Sequence, residues 1–178
     1  MRRDTGTPWL VLAVVFGLAV AAAILGLSQS PPSADLAAHN AVGETLLAPN
    51  FTAVQTSTAS PVVVRVIYTA PDTLRVIESY HNQRRAATIT GSSVQGQLKT
   101  LADLQNQSFT KHGSVYVTEM RAQTSTGTRA AELVLLTVDN GYMVRVQQHV
   151  SVTSVAGTQN TSALLRFLKI GDWTVHAG

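Results

Sequence analysis

Residues 139–154 read DNGYMVRVQQHVSVTS, and this stretch decides the fold class. Its apolar side chains fall on alternate positions, at Tyr142, Val144, Val146, Val150 and Val152. The positions between them are polar, at Arg145, Gln147, His149, Ser151 and Thr153. A β-strand with one face in the core and the other in water gives this pattern. The preceding Asp139-Asn140-Gly141 favours a tight hairpin turn, because Asn and Gly tolerate positive φ.

The same two-residue period recurs along much of the chain. It predicts nine strands, at residues 51–57, 62–69, 73–80, 85–90, 114–121, 131–138, 142–154, 162–170 and 173–176. Turn sequences separate several of them, at Ala70-Pro71-Asp72, His81-Asn82-Gln83 and Gly171-Asp172. Successive hairpins of this kind predict a mostly antiparallel sheet.

Two segments have helical spacing instead. Ser33 is a candidate N-cap for a helix that runs through about Ala48. Leu98, Leu101 and Leu104 predict a second short helix within residues 97–105. The fold class predicted from these patterns is α+β and β-dominated, with both helices covering the dry face of the sheet.

An uncharged segment precedes this domain. Residues 9–27 read WLVLAVVFGLAVAAAILGL, and as a helix they extend about 28 Å, close to the thickness of a bilayer core. Arg2 and Arg3 lie before the segment and the next basic residue is Arg65, so the positive-inside rule places the N-terminus in the cytoplasm. We expect a cytoplasmic N-terminus at residues 1–8, a transmembrane signal anchor at 9–27, a linker at 28–33 and an extracytoplasmic domain at 34–178.

A cleaved signal peptide is the alternative reading of this segment. Gly26 and Ser28 are small residues with the −3/−1 spacing of a cleavage site, and cleavage would make the domain a secreted protein. The apolar run is longer than the roughly 7–15 residues of a signal-peptide core, which favours a retained anchor. Both readings place the domain outside the cytoplasm.

Composition excludes several classes of function. Beyond residue 28 the chain has 11 Lys and Arg residues and 9 Asp and Glu residues, without a basic cluster of the kind that binds nucleic acid. It has no cysteine, so disulfides, thiolate metal sites and cysteine catalysis are excluded. No two of the five histidines have i, i+4 spacing, and no Gly-x-Ser-x-Gly motif is present. We therefore predict no catalytic residues, no metal site and no cofactor, and expect that the protein is not an enzyme.

The remaining candidate site is apolar. Six side chains alternate along neighbouring predicted strands: Val64, Val66, Tyr68, Leu74, Val76 and Tyr80. They fit either a filled core or a cavity large enough for a lipid, because cores and apolar pockets use the same residue types.

The segment VIYTAPDTLRV, at residues 66–76, resembles a turn found in LolA-like and LppX/LprG-like extracytoplasmic proteins. The resemblance implies a curved antiparallel sheet, an unclosed barrel, whose helices cover a space for acyl chains. Thr73 stands where that family often has arginine, and the acylated lipoprotein cysteine is absent. An uncleaved helix would then serve as the anchor in place of a lipid.

The function implied by this resemblance is a membrane-anchored binding domain for lipid, acyl chains or lipoproteins. The alternative is a structural or protein-interaction module of the cell envelope with a filled core. The expected partners are the membrane, through residues 9–27, a lipid or lipoprotein, and envelope proteins; nucleic acid is not expected.

Overall fold

The computed structural model describes residues 36–125 and 127–175. The predicted transmembrane segment, the linker and the Ser33 cap lie outside these residues. Within the described part of the chain, no helix is both long enough and apolar enough to span a bilayer.

Two helices and ten strands make up the described chain. The helices are α1 (Leu36–Leu47) and α2 (Ser92–Asp103), and a 3₁₀ turn at Leu104–Asn106 follows α2. The strands before α2 are β1 (Asn50–Ser57), β2 (Ser60–Thr69), β3 (Thr73–Tyr80) and β4 (Gln83–Thr90). Those after it are β5 (Thr110–His112), β6 (Val115–Gln123), β7 (Arg129–Asp139), β8 (Tyr142–Ser154), β9 (Gly157–Ile170) and β10 (Trp173–Thr174).

All ten strands belong to one antiparallel sheet. Nine of them follow the order β4-β3-β2-β1-β9-β8-β7-β6-β5, and β10 pairs with the end of β9. The sheet is open, with β4 and β5 at its two edges. The prediction of a β-dominated, antiparallel, unclosed sheet with two helices is confirmed.

The hairpin turns form where the sequence predicts them. Asn140 and Gly141 have φ values of 49° and 79°, and they join β7 to β8 as a two-residue loop. His81 has a φ of 49° in the equally short loop between β3 and β4. Pro71 follows a cis peptide bond between β2 and β3, and its carbonyl accepts a hydrogen bond of 3.2 Å from the Tyr68 hydroxyl.

Both helices pack on one face of the sheet, which we call the inner face; the opposite side is the outer face. Ala38 and Val42 of α1 are fully buried in the apolar core. Thr45 joins α1 to β8, because its hydroxyl donates to the Ala41 carbonyl at 2.7 Å and accepts from the Met143 amide at 2.8 Å. The pairing of β7 with β8 shifts at Val144, so that Met143 also points into the core.

Candidate functional site

Five of the six predicted cavity residues lie in the interior. Val64, Val66, Tyr68, Leu74 and Val76 are at most 7% exposed. Tyr80 is 44% exposed and lies outside the interior, with its ring edge-on to His81 at 4.3 Å between centroids.

Strand register places these residues in transverse rows on the inner face. Phe51, Tyr68 and Leu74 are partners in one row across β1, β2 and β3, and Ala53, Val66 and Val76 form the next. The third row is different, because Gln55 and Glu78 lie on either side of Val64. Polar side chains therefore enter an otherwise apolar surface at its third row.

Helix α2 covers these rows. Val94 and Leu101 are buried, and Leu98 packs against the core. Between α2 and the sheet a cavity of about 30 Å³ remains. Its lining residues are Phe51, Ala53, Gln55, Val66, Leu74, Gln97, Leu98, Thr100, Leu101 and Leu165. Binding sites for small molecules have volumes of roughly 300–1,000 Å³, so this interior is nearly filled with α2 in its observed position.

The cavity has a polar end formed by Gln55. This side chain is 2% exposed, and neither its amide nitrogen nor its amide oxygen has a hydrogen-bond partner among the described residues. Gln97 and Thr100 of α2 also line the cavity. Because buried polar groups are nearly always hydrogen-bonded, Gln55 is the least satisfied group of the interior.

Glu78 is the second polar side chain in the row of Gln55. One of its carboxylate oxygens is buried, and no group in the described part of the chain forms a hydrogen bond with it. Burial raises the pKa of Glu78, and the guanidinium of Arg85, its partner across β3 and β4, lowers it by a smaller amount. Two strand spacings separate Glu78 from Gln55, or about 10 Å.

A second buried polar pair lies on the inner face of β7 and β8. The Gln148 amide donates to Glu132 at 2.6 Å, and both residues are 4% exposed. Burial raises the pKa of Glu132, and the hydrogen bond from Gln148 partly opposes that effect. Within residues 36–125 and 127–175, the second carboxylate oxygen of Glu132 and the amide oxygen of Gln148 have no hydrogen-bond partner. No sequence motif singles out Gln55, Glu132 or Gln148.

Helix α2 has few local stabilising features. Its N-cap is Gly91, which supplies no side-chain hydrogen bond, and its first turn has no acidic residue to complement the helix dipole. Gly96 lies in its interior, where glycine is less favourable than alanine by about 0.5–1 kcal/mol. The helix is therefore held mainly by the packing of Val94, Leu98 and Leu101.

The outer face is strongly basic over β1–β4, β8 and β9. Six exposed cations project from it, and no acidic side chain does: Arg65, Arg75, Arg84, Arg145, Arg166 and Lys169. Arg145 and Arg166 are directly opposite each other on β8 and β9, an unfavourable arrangement for like charges. None of the six forms an ion pair with another described residue.

Two larger depressions lie at the far end of β6–β9, and both are open to solvent. Their volumes are about 640 and 300 Å³, and Ala131 and Ser151 line both. The cavity under α2 is smaller and less open than these depressions, and its lining is mainly apolar.

The histidines do not form a catalytic or metal-binding arrangement in the described residues. His149 Nδ1 lies 2.8 Å from the Ser162 hydroxyl at an exposed position, without a carboxylate bonded to the imidazole. His39 Nε2 lies 2.6 Å from the Gln107 carbonyl, which joins α1 to the segment after α2. Over residues 36–125 and 127–175, no group of three His, Asp or Glu side chains could hold a metal ion.

No protein-family model matches this chain, and no curated protein is significantly similar to it in sequence. The likeness to LolA-like and LppX/LprG-like proteins therefore remains a prediction from the sequence. The interior under α2 and the basic outer face are the two features of the described residues that suggest a function.

Proposed function

We propose that the protein is a membrane-anchored, extracytoplasmic binding domain that takes up an acyl chain between α2 and the inner face of its sheet. The observation that carries this proposal is the mainly apolar cavity lined in part by Gln55, beneath a helix with few local stabilising features. The volume of about 30 Å³ requires that α2 moves away from the sheet when a chain enters. The observed structure is then the closed, ligand-free state.

The free-energy cost of moving α2 away from the sheet sets the minimum length of acyl chain that can bind. Exposing Val94, Leu98 and Leu101 would cost about 5–9 kcal/mol, at roughly 1.5–3 kcal/mol for each buried side chain. An acyl chain gains about 0.8 kcal/mol for each methylene that it buries. Roughly 6–11 buried methylenes would therefore offset the opening of α2, and short fatty acids should bind poorly.

Re-binding of lipid after delipidation tests this function. The full chain is delipidated, refolded in detergent and offered mixed acyl lipids, and the bound species are identified by native mass spectrometry. We expect one bound lipid with a long chain. A protein that retains its native fold and stays free of lipid would contradict the proposal.

Ala53→Val tests the position of the site, since Ala53 is 1% exposed and lines the cavity, and Ala86→Val is its matched control. The added methyl groups occupy the closed cavity and should reduce lipid uptake. Ala86→Val lies on the exposed outer side of β4 and should leave uptake unchanged.

The basic outer face supports a second candidate function, a module that binds an acidic envelope protein through a surface and has a filled core. Arg65, Arg145 and Arg166 lie in one transverse row and lack acidic partners among the described residues. Polyglutamate serves as an acidic probe. Exchanging Arg145 and Arg166 for Glu should abolish its binding, whereas exchanging Lys111 and Arg129 for Glu changes the net charge equally and should preserve it.

A further inference from the structure

We infer that Gln55 recognises the carbonyl-bearing group of the ligand, so that the interior selects long-chain amides and carboxylic acids over plain hydrocarbon. This inference deepens the proposed acyl-binding function and rests on it. It names the class of ligand and the residue that distinguishes that class.

The sequence of β1 makes Gln55 unusual. Phe51, Ala53 and Gln55 alternate on the inner face, and the first two are apolar. The neighbours of Gln55 across both flanking strands, Val64 and Leu165, are apolar as well. A leucine at this position would fit the local pattern, so the fold alone does not require an amide here.

No described residue forms a hydrogen bond with the side-chain amide of Gln55. Its nitrogen and its oxygen are both buried. Burying a polar group without a hydrogen bond is unfavourable, and a ligand that supplies the missing partners recovers that free energy on binding. The unpaired amide of Gln55 thus favours binding of a ligand that can form hydrogen bonds with it.

The chemistry of an amide side chain defines its complement. Gln offers two N–H donors and one carbonyl acceptor side by side. A primary amide or a protonated carboxylic acid presents a donor and an acceptor in the same arrangement, whereas an ester presents acceptors only and an alkane presents neither. Gln97 and Thr100 line the same cavity from α2 and can satisfy the remaining lone pairs.

The rest of the lining suits the hydrocarbon chain. Phe51, Val66, Leu74 and Leu98 surround the cavity with apolar surface. A ligand with a polar group at Gln55 and a chain along these side chains matches both parts of the site. Glu78, in the same row, lies next to Arg85 and does not line the cavity, so Gln55 is the polar side chain of β1–β3 that lines it.

An internal competition tests this recognition. The full chain in detergent micelles receives equal amounts of hexadecanamide, methyl hexadecanoate and hexadecane, and native mass spectrometry resolves the bound species by mass in one sample. We expect the amide to exceed the alkane about tenfold, equivalent to about 1.4 kcal/mol. The ester should fall between them.

Gln55→Leu should remove this preference and retain binding of the alkane. Gln95→Leu makes the same chemical change at an exposed position of α2 and should leave the preference intact. Gln55→Met, which has nearly the same shape as Gln, replaces Gln55→Leu if the latter does not fold. Equal occupancy of all three probes in the wild-type protein would overturn the role of Gln55 and leave the acyl site standing; binding of none of them would overturn both.

Discussion

Buried polar side chains interrupt an otherwise apolar inner face at single positions. Gln55, Glu132 and Gln148 are each at most 4% exposed. The two-residue period of the strands places each of them on the inner face, so their burial could be predicted from their positions in the sequence. Their missing partners could not be predicted, because hydrogen-bonding depends on which side chains meet across the sheet and from α2.

Because the side-chain amide of Gln55 has no hydrogen-bond partner among the described residues, we expect its removal to stabilise the protein. We expect Gln55→Leu to raise the free energy of unfolding of the ligand-free protein by about 1–3 kcal/mol, because an unsatisfied buried polar group is replaced by an apolar one. Urea denaturation measures this change. Gln95→Leu should shift stability by less than about 0.5 kcal/mol, as surface substitutions do. A loss of stability in Gln55→Leu would mean that the amide is satisfied in the ligand-free fold.

The carboxyl group of Glu132 predicts a dependence of stability on pH. Its pKa in the folded state is raised above the ordinary 4.5, so the folded state binds the proton more tightly than the unfolded state does. The stabilisation from this group is complete below the unfolded-state pKa and is lost as pH rises through the raised value. Glu132→Gln should therefore unfold at a higher temperature than the wild type at about pH 8, and this advantage should shrink towards about pH 4. Thermal melts across that range measure it, and an advantage that is constant with pH would contradict the assignment.

At the scale of single elements, α1 is attached to the sheet by a hydrogen bond as well as by apolar packing. Thr45 provides the acceptor for the buried Met143 amide. We expect Thr45→Val to lower the free energy of unfolding by about 1–3 kcal/mol, because that amide loses its partner while the shape of the side chain is preserved. Thr45→Ser retains the hydroxyl and should recover most of the loss. Equal stability of the Val and Ser variants in urea would refute this role for the hydroxyl.

We expect the amides of α2 to be the least protected from hydrogen exchange among the elements that cover the interior. An added Cβ at Gly96 meets no atom within 4 Å, so alanine fits there. We expect Gly96→Ala to stabilise α2 by about 0.5–1 kcal/mol and to slow amide hydrogen exchange over Ser92–Asp103. Gly43→Ala in α1 is the contrasting case, because its Cβ would lie 2.7 Å from the Gln105 side chain and Gln105 would have to shift. If amide hydrogen exchange in the wild-type protein were as slow in α2 as in β9, this would argue against a movable α2.

Some strands and helices could be predicted from the sequence and others could not. Strands with regular alternation, such as Thr73–Tyr80 and Tyr142–Ser154, are predicted with their observed bounds. Strand Thr110–His112 is missed because its three residues are all exposed and carry no apolar period. Helix α2 begins at Ser92, five residues before the predicted segment, because its first turn is polar apart from the buried Val94.

At the scale of the whole molecule, the sheet order and the closed interior are not encoded in local patterns. The placement of β9 between β1 and β8 joins the two halves of the sheet through contacts distant in sequence. The size of the cavity depends on how the side chains of α2 meet Phe51, Leu74 and Leu165. Of the six cavity residues predicted from the sequence, Val66 and Leu74 line this cavity and the other four do not. Which side chains line it, and the volume they leave, follow only from the three-dimensional packing.

The most direct test of the account is the distance between α2 and the sheet with and without ligand. The chain has no cysteine, so Gln95→Cys and Thr56→Cys place one spin label on α2 and one on the outer side of β1. A second pair, Thr56→Cys and Thr88→Cys, lies wholly on the sheet and serves as the reference. We predict that saturating hexadecanamide lengthens the distance from residue 95 to residue 56, measured by pulsed electron paramagnetic resonance, and leaves the reference distance unchanged. An unchanged distance from residue 95 to residue 56 at saturation would contradict the opening of α2.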